Sequence, residues 1–330
     1  MSINNKKANF WLKLKKPILA LAPMAGVTDS AFRQICRQYG ADVVYTEMVS
    51  ADGLYYDSKK TLAMLKFSKQ EKPVVIQLFG KYPERFTKAA KVVQAAGFDG
   101  IDINFGCPAR KVAGHGGGVT LMRDLDKCRQ IVENVLAGTT LPVSVKLRSS
   151  ISKDGGKVTA WDFLQAMKDL PLAAVVIHGR PYEDPFAAKL DYEMIKKCVQ
   201  LFKKQNRQGV VLGNGGINAP SDAKRMIELT GAAGVGLARG LYGRPWLFGQ
   251  VRRYLKTGKY SELTVRQVNK AILQHARLAF KAKDRQGIIE LRKHLAWYVS
   301  GRPQAKELRA KLVRVESLKE LRQILKQSAG

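Results

Sequence analysis

The segment Asn104-Phe105-Gly106-Cys107-Pro108 puts a thiol in a loop, between a glycine and a proline. A thiol held there can serve as a nucleophile or as a proton donor. The remaining cysteines, Cys36, Cys128 and Cys198, fall inside helical patterns, where cysteine ordinarily acts as a small buried hydrophobe. No CxxC and no cysteine–histidine ligand spacing occurs in the sequence. A metal site and a disulfide framework are therefore not expected, and a reducing, cytoplasmic setting is.

Gln77, Lys146 and His178 form a second group, since each stands at the end of a short apolar run. A flavin ring needs hydrogen-bonding groups at its pyrimidine edge and a cation near N1 to stabilise the reduced form. Lys146, closing Val143-Ser144-Val145-Lys146, suits that cation; taken alone it suits equally a lysine paired for stability or reaching to water. The turns Leu212-Gly213-Asn214-Gly215-Gly216 and Leu237-Ala238-Arg239-Gly240 are glycine-rich. Glycine lets backbone N–H groups approach a phosphate closely, and Arg239 adds charge. Pro23-Met24-Ala25-Gly26, Glu47, Asn104 and Arg180 complete the polar or special residues that follow apolar runs. His115, in the glycine-dense stretch Ala113 to Gly118, belongs either to a segment that moves over a site or to a connector.

These residues need elements to bring them together. Apolar runs recur at Ile18–Leu21, Val43–Thr46, Val74–Leu78, Gly100–Ile103, Val143–Leu147, Ala174–Ile177, Val210–Leu212 and Gly234–Leu237. Helical patterns intervene at Asp29–Gln38, Pro83–Ala96, Leu125–Leu136, Ala160–Leu170, Tyr192–Lys203 and Ser221–Leu229. Continuous apolar strands alternating with helices indicate a parallel sheet covered by helices. Eight runs predict a closed (β/α)8 barrel over residues 1–250, with function on the loops after the strand C-termini. The alternative is a doubly wound open sheet, weakened because no run is followed by a dinucleotide-binding GxGxxG turn.

After Trp246 the texture becomes helical, as in Ala271, Leu273, Ala276, Leu278, Ala279 and again Leu291, Leu295, Val299. Gly301-Arg302-Pro303 breaks one helix, and Leu308 to Leu325 supplies one or two more. Residues 251–330 are thus expected to form a small helical domain. The whole chain of 330 residues carries 57 Lys+Arg against 27 Asp+Glu, a net of +30, with 45% hydrophobic residues. That composition excludes wholesale disorder and makes a polyanion, nucleic acid above all, the expected partner. The 80-residue tail alone holds 20 Lys+Arg against 6 Asp+Glu. A solvated basic helical face is the bland alternative.

Several segments together resemble the tRNA-dihydrouridine synthase family of flavoenzymes. They are LAPMAGVTDSAFR (21–33), YTEMVSADGL (45–54), VVIQLFG (74–80), GIDINFGCPARKV (100–112), PVSVKLR (142–148), VVIHGR (175–180), VVLGNGGI (210–217) and LARGLYGRPWLF (237–248). LRKHLAWY (291–298) looks like the helical-domain signature of the bacterial B-type subfamily. The resemblance implies FMN-dependent reduction of uridine in transfer RNA, in the D-loop, with NADPH as electron donor. It implies FMN contacts from Pro23, Met24, Ala25, Gln77, Lys146, His178, Asn214, Gly215, Gly216, Ala238 and Arg239. Cys107 would be the general acid toward uracil C5 while hydride reaches C6. Substrate contacts would come from Glu47, Asn104 and Arg180, with Arg292, Lys293 and His294 as the local RNA-facing group on the tail.

Two departures from the family pattern stand out. The segment after His178 reads Gly179-Arg180-Pro181-Tyr182-Glu183-Asp184, with Pro-Tyr where Thr-Arg is common and an acidic pair beyond it, and Ala238-Arg239 stands where Gly-Arg is frequent. Flavin chemistry on a free pyrimidine or another small molecule, the same chemistry on ribosomal RNA, and an RNA-binding protein with a vestigial flavin site remain alternatives at this level. No obligatory protein partner and no membrane association are expected.

Overall fold

The computed structural model describes residues 9–109, 113, 114, 116–185, 187–205 and 208–328; His115 lies outside them. All eight apolar runs are strands: β1 (Ile18–Leu21), β2 (Val43–Ser50), β3 (Val74–Phe79), β4 (Gly100–Phe105) and β5 (Val143–Arg148), then, beyond a hairpin of β6 (Ser150–Lys153) and β7 (Gly156–Thr159), β8 (Ala174–His178), β9 (Val210–Asn214) and β10 (Gly234–Leu237). The eight pair in parallel into one closed barrel, and the open-sheet alternative falls. Closure is made by β1 against β10, with Ile18 opposite Gly234. A Cβ at Gly234 would stand 2.0 Å from the Ile18 carbonyl oxygen, so only glycine lets these backbones meet.

The helices around the barrel start where their sequences offer caps. Asp29 accepts the Phe32 N–H at 2.8 Å ahead of the helix Ser30–Gln38. Asp124 does the same for Leu125–Gly138, and Pro83 and Pro220 occupy first turns, where no N–H is needed. The helix expected to reach Leu170 ends at Ala166, because Pro171 biases its predecessor away from helical geometry and the chain must turn into β8.

Leu247, Phe248 and Val251 belong to the barrel core, and their helix, Leu247–Thr257, runs on to Gly258 (φ 71°). The expected boundary at residue 250 therefore falls inside a barrel helix. A second core gathers Val268, Ile272, Ala276, Leu291, Leu295, Leu312 and Leu321 with Ala31 and Trp246 of the barrel. Its long helix, Val265–Tyr298, is broken at Lys283 (φ −148°, ψ 22°) and Asp284 (φ 48°, ψ −135°) into two rods. Phe32, His275 and His294 meet where this unit rests on the barrel helix Ser30–Gln38, with ring centroids 4.8–5.7 Å apart. Among the described residues no helix is long and apolar enough to cross a membrane.

Candidate active site

Parallel register stacks the polar strand residues in tiers. Gln77, Asp102 and Ser144 are register partners on β3, β4 and β5. Two residues further along, Asn104 lies opposite Lys146, and beyond them Arg148, His178 and Asn214 lie side by side on β5, β8 and β9. Side chains two apart on a strand share a face, so these tiers climb the barrel toward its C-terminal rim.

Cys107 follows directly. Asn104 Oδ1 accepts the backbone N–H of Gly106 at 3.0 Å and of Cys107 at 2.9 Å, which fixes the turn after β4. Arg148 Nε donates to the Gly106 carbonyl at 3.0 Å and its Nη1 reaches the Pro181 carbonyl at 3.2 Å, bracing this turn and the loop after His178. The thiol is half-buried. Burial raises its pKa above the ordinary value, against the Ala109 backbone N–H, Lys146 and Arg148. At neutral pH it therefore holds its proton, as a general acid must.

Four cations act on one histidine. Burial first, and then Lys146, Arg148, Arg180 and Arg239, drive the His178 imidazole far below its ordinary pKa and keep it neutral. Its Nδ1 accepts the Arg180 backbone N–H at 3.2 Å, so Nε2 carries the proton and is a donor. Burial, reinforced by Arg148, lowers the Lys146 ammonium to about 8 against the pull of Asp102 and Cys107. Desolvation of Arg148 takes that group to about 10.

A cavity of about 380 Å³ opens beside this cluster, lined by His178, Arg180, Asn214, Gly215, Gly216, Ala238 and Arg239 among others. Gly215 (φ 105°) and Gly216 (φ 66°) take left-handed geometry there, and a Cβ at Gly216 would lie 2.7 Å from Leu190. Arg180 Nε donates to the Ala188 carbonyl at 2.7 Å, while its buried Nη1 has no hydrogen-bond partner among the described residues. An unsatisfied buried guanidinium nitrogen beside a glycine cradle fits an anionic group such as the FMN phosphate. The Asn214 amide, which donates to the Gly236 carbonyl at 2.7 Å, holds β9 to β10 below it.

Other expected residues sort differently. Pro23, Met24 and Ala25 form the turn after β1, where Met24 N–H meets Thr28 Oγ1 at 3.2 Å and Glu47 accepts the Gly26 N–H. Glu47 also lines a rim cavity of about 750 Å³ with Arg33, Lys60, Lys66, Lys281 and Lys283, between the barrel and the helical unit. Asn104 is buried, and its amide nitrogen is taken by Gln77 Oε1 and Met48 Sδ. It shapes the Cys107 turn rather than offering a free group to a base. His294 is 0% exposed and so is corrected as an RNA contact. Arg292 Nε donates to the Val315 carbonyl at 2.9 Å and Nη2 to that of Arg314 at 2.9 Å, tying down the C-terminal turn. Lys293 is only partly exposed. Of the three, His294 turns inward on the side that buries Leu295 and Tyr298, while Arg292 and Lys293 stay partly exposed.

The dihydrouridine synthase (Dus) family profile matches residues 20–329. The chain belongs to this family. It is 34% identical over 305 residues to the tRNA-dihydrouridine synthase B of Pseudomonas syringae pv. tomato, covering 90% of this chain and 87% of the relative. It is also 34% identical to the probable tRNA-dihydrouridine synthase 1 of Synechocystis sp., covering 93% and 85%. Among solved structures, histamine dehydrogenase from Rhizobium sp. 4-9 shares the fold at a TM-score of 0.54 and 15% identity, over 79% of this chain and 48% of that one. A variant of NCR from Zymomonas mobilis does so at 0.50 and 14%, over 76% and 90%. These two speak to fold alone.

In this dihydrouridine synthase, two site residues escaped sequence reasoning. Arg148 stands two positions after Lys146 on the same strand, and Asp102 two before Asn104. Period-2 alternation was the signal for both.

Proposed function

We propose that the protein reduces uridine to 5,6-dihydrouridine within transfer RNA, in the D-loop, using bound FMN and NADPH as electron donor. The observation that carries this reading is the gathering of Lys146, Arg148 and His178 on adjoining strands beside the glycine-lined cavity of Arg180 and Arg239, with Cys107 on the turn that Arg148 braces. Family membership and relatives named for transfer RNA add to it.

Bound FMN would supply the hydride that adds to uracil C6. The chain's own residues do the rest. Lys146 would hold negative charge at the flavin pyrimidine edge and His178 Nε2 would donate there, while Gln77, its amide taken by Asp102 and Asn104, would support them from the tier below. Pro23, Met24 and Ala25 would flank the ring, while Asn214, Gly215, Gly216, Ala238, Arg180 and Arg239 would hold the phosphate. Cys107 gives its proton to C5 as the S–H bond breaks, and the resulting thiolate is reprotonated from water.

A stacked uridine must leave its stack to reach such a depth, at a cost of a few kcal/mol. Phosphate contacts from Lys60, Lys66, Lys281 and Lys283 around the rim cavity offset that cost through counterion release. Glu47, in the same cavity, lies where the everted nucleotide would pass. The helical unit beyond the barrel then serves as the RNA-binding part. Four free thiols suit a cytoplasmic setting.

The test is to supply the FMN-loaded protein and NADPH with a transfer RNA transcript, a ribosomal RNA fragment, or free uridine. Dihydrouridine is expected in the transcript, with little in the other two. Equal turnover of the free nucleoside would overturn the RNA reading and favour a small-molecule reductase.

A further inference from the structure

Asp102 lies wholly buried on β4, one tier below Asn104 and Lys146. Its two oxygens accept from Ser144 Oγ at 2.6 Å and from Gln77 Nε2 at 2.7 Å. An ionised carboxylate only accepts, so Gln77 must turn its nitrogen down toward Asp102. Its oxygen then faces up and accepts from Asn104 Nδ2 at 2.9 Å. With its nitrogen committed, Asn104 has its oxygen left for the Gly106 and Cys107 N–H groups. Reversing either amide would set oxygen against oxygen and strand donors where water does not reach.

We propose that Asp102 is a positioning residue: its carboxylate fixes, through Gln77 and then Asn104, which way two amides face, and thereby where the Cys107 turn sits. The step from the turn to proton donation rests on the function proposed above; the relay itself does not. Stability alone is a poor reason for this carboxylate, because a buried charge is seldom worth more than a well-packed apolar side chain. Burial pushes Asp102 up to about 6, against Ser144, Gln77 and Lys146, so the relay is held at a cost.

A relay with a direction can be run backwards. In Asn104→Asp, an oxygen of the new carboxylate meets Gln77 Oε1 with no hydrogen between them, and the repulsion pushes the side chain off the turn it braces. Adding Asp102→Asn keeps the total charge and lets the relay reverse: the new amide donates to Gln77 Oε1, and Gln77 Nε2 donates upward. The remaining oxygen at position 104 still accepts from the turn. The readout is the rate of Cys107 alkylation by iodoacetamide in full-length protein without RNA or reductant, each variant being compared with its own Cys107→Ser background. Asn104→Asp is expected to alkylate about tenfold faster, the size of one lost buried hydrogen bond, as the thiol leaves its half-buried place. The charge-conserving double variant is expected to return to within about threefold of wild type.

Rescue of folding, should Asn104→Asp not fold, counts as the same result. An unaffected Asn104→Asp, or a double variant as reactive or as unfolded as that single one, overturns the proposal. A wild-type protein that takes up no FMN would instead overturn the flavin reading and leave the relay standing.

Discussion

Among the described residues, histidines kept neutral lie in two places, and for opposite ends. His178 sits among Lys146, Arg148, Arg180 and Arg239, and only its Nδ1 is engaged, which leaves a donor facing an anion-ready cavity. His275 and His294 lie where the helical unit rests on the barrel, among Phe32, Trp297 and Tyr298. There burial comes first in lowering both; Lys293 assists in each, and Asp29 opposes it at His275. His275 Nδ1 meets the Tyr298 hydroxyl at 3.1 Å, whereas neither ring nitrogen of His294 has a hydrogen-bond partner among the described residues. The same side chain is chemical where cations surround it and acts as packing where rings do. Residue type alone does not tell the two apart; the neighbouring charges do.

That contrast has measurable consequences. The largest is expected in the barrel. Lys146→Met removes the cation assigned to the reduced flavin, and flavin reduction by NADPH should slow about 10²–10³-fold, the scale of losing one pre-organised electrostatic group. Stopped-flow absorbance reads this directly, with FMN content measured alongside.

Acid should act at the other histidines. The folded protein holds His275 at about 4, below its unfolded value near 6.5, so between these pH values the unfolded chain binds a proton that the folded one refuses. Stability is therefore full above pH ~6.5 and falls by about 3 kcal/mol as pH drops through ~4, from a shift of roughly 2.5 pKa units. Denaturant titrations across that window check it, and His275→Gln should flatten the slope. A smaller gain is expected from His294→Leu, which removes two unpartnered buried nitrogens. It should raise stability by about 1–2 kcal/mol, with RNA affinity unchanged because the ring never meets solvent.

Sequence made the barrel readable because each strand is a short apolar run ending in a polar group, as in Val143 to Lys146 and Ala174 to His178. Parallel register then did the assembling, and register is a property of pairs of strands, absent from either one alone. The hairpin of β6 and β7 was missed even though Asp154-Gly155, both at positive φ, is a strong two-residue turn signal. Only Ile151 and Val158 give its strands an apolar face, so periodicity carried no weight there. In the tail, the break at Lys283–Asp284 resets the helical phase. His294 consequently faces the barrel contact and Arg292 the C-terminal turn, which spacing within a continuous helix does not reveal.

The most direct trial of the site is a single-turnover reaction. The protein is loaded with FMN, reduced with NADPH and mixed with transfer RNA transcript, while flavin absorbance and dihydrouridine yield are followed in wild type and in Cys107→Ala. Full FMN content and RNA affinity with product formation slowed about 10²–10⁴-fold are expected, the usual span for losing a general acid. Dihydrouridine formed by Cys107→Ala at the wild-type rate and yield would contradict the assignment of that thiol.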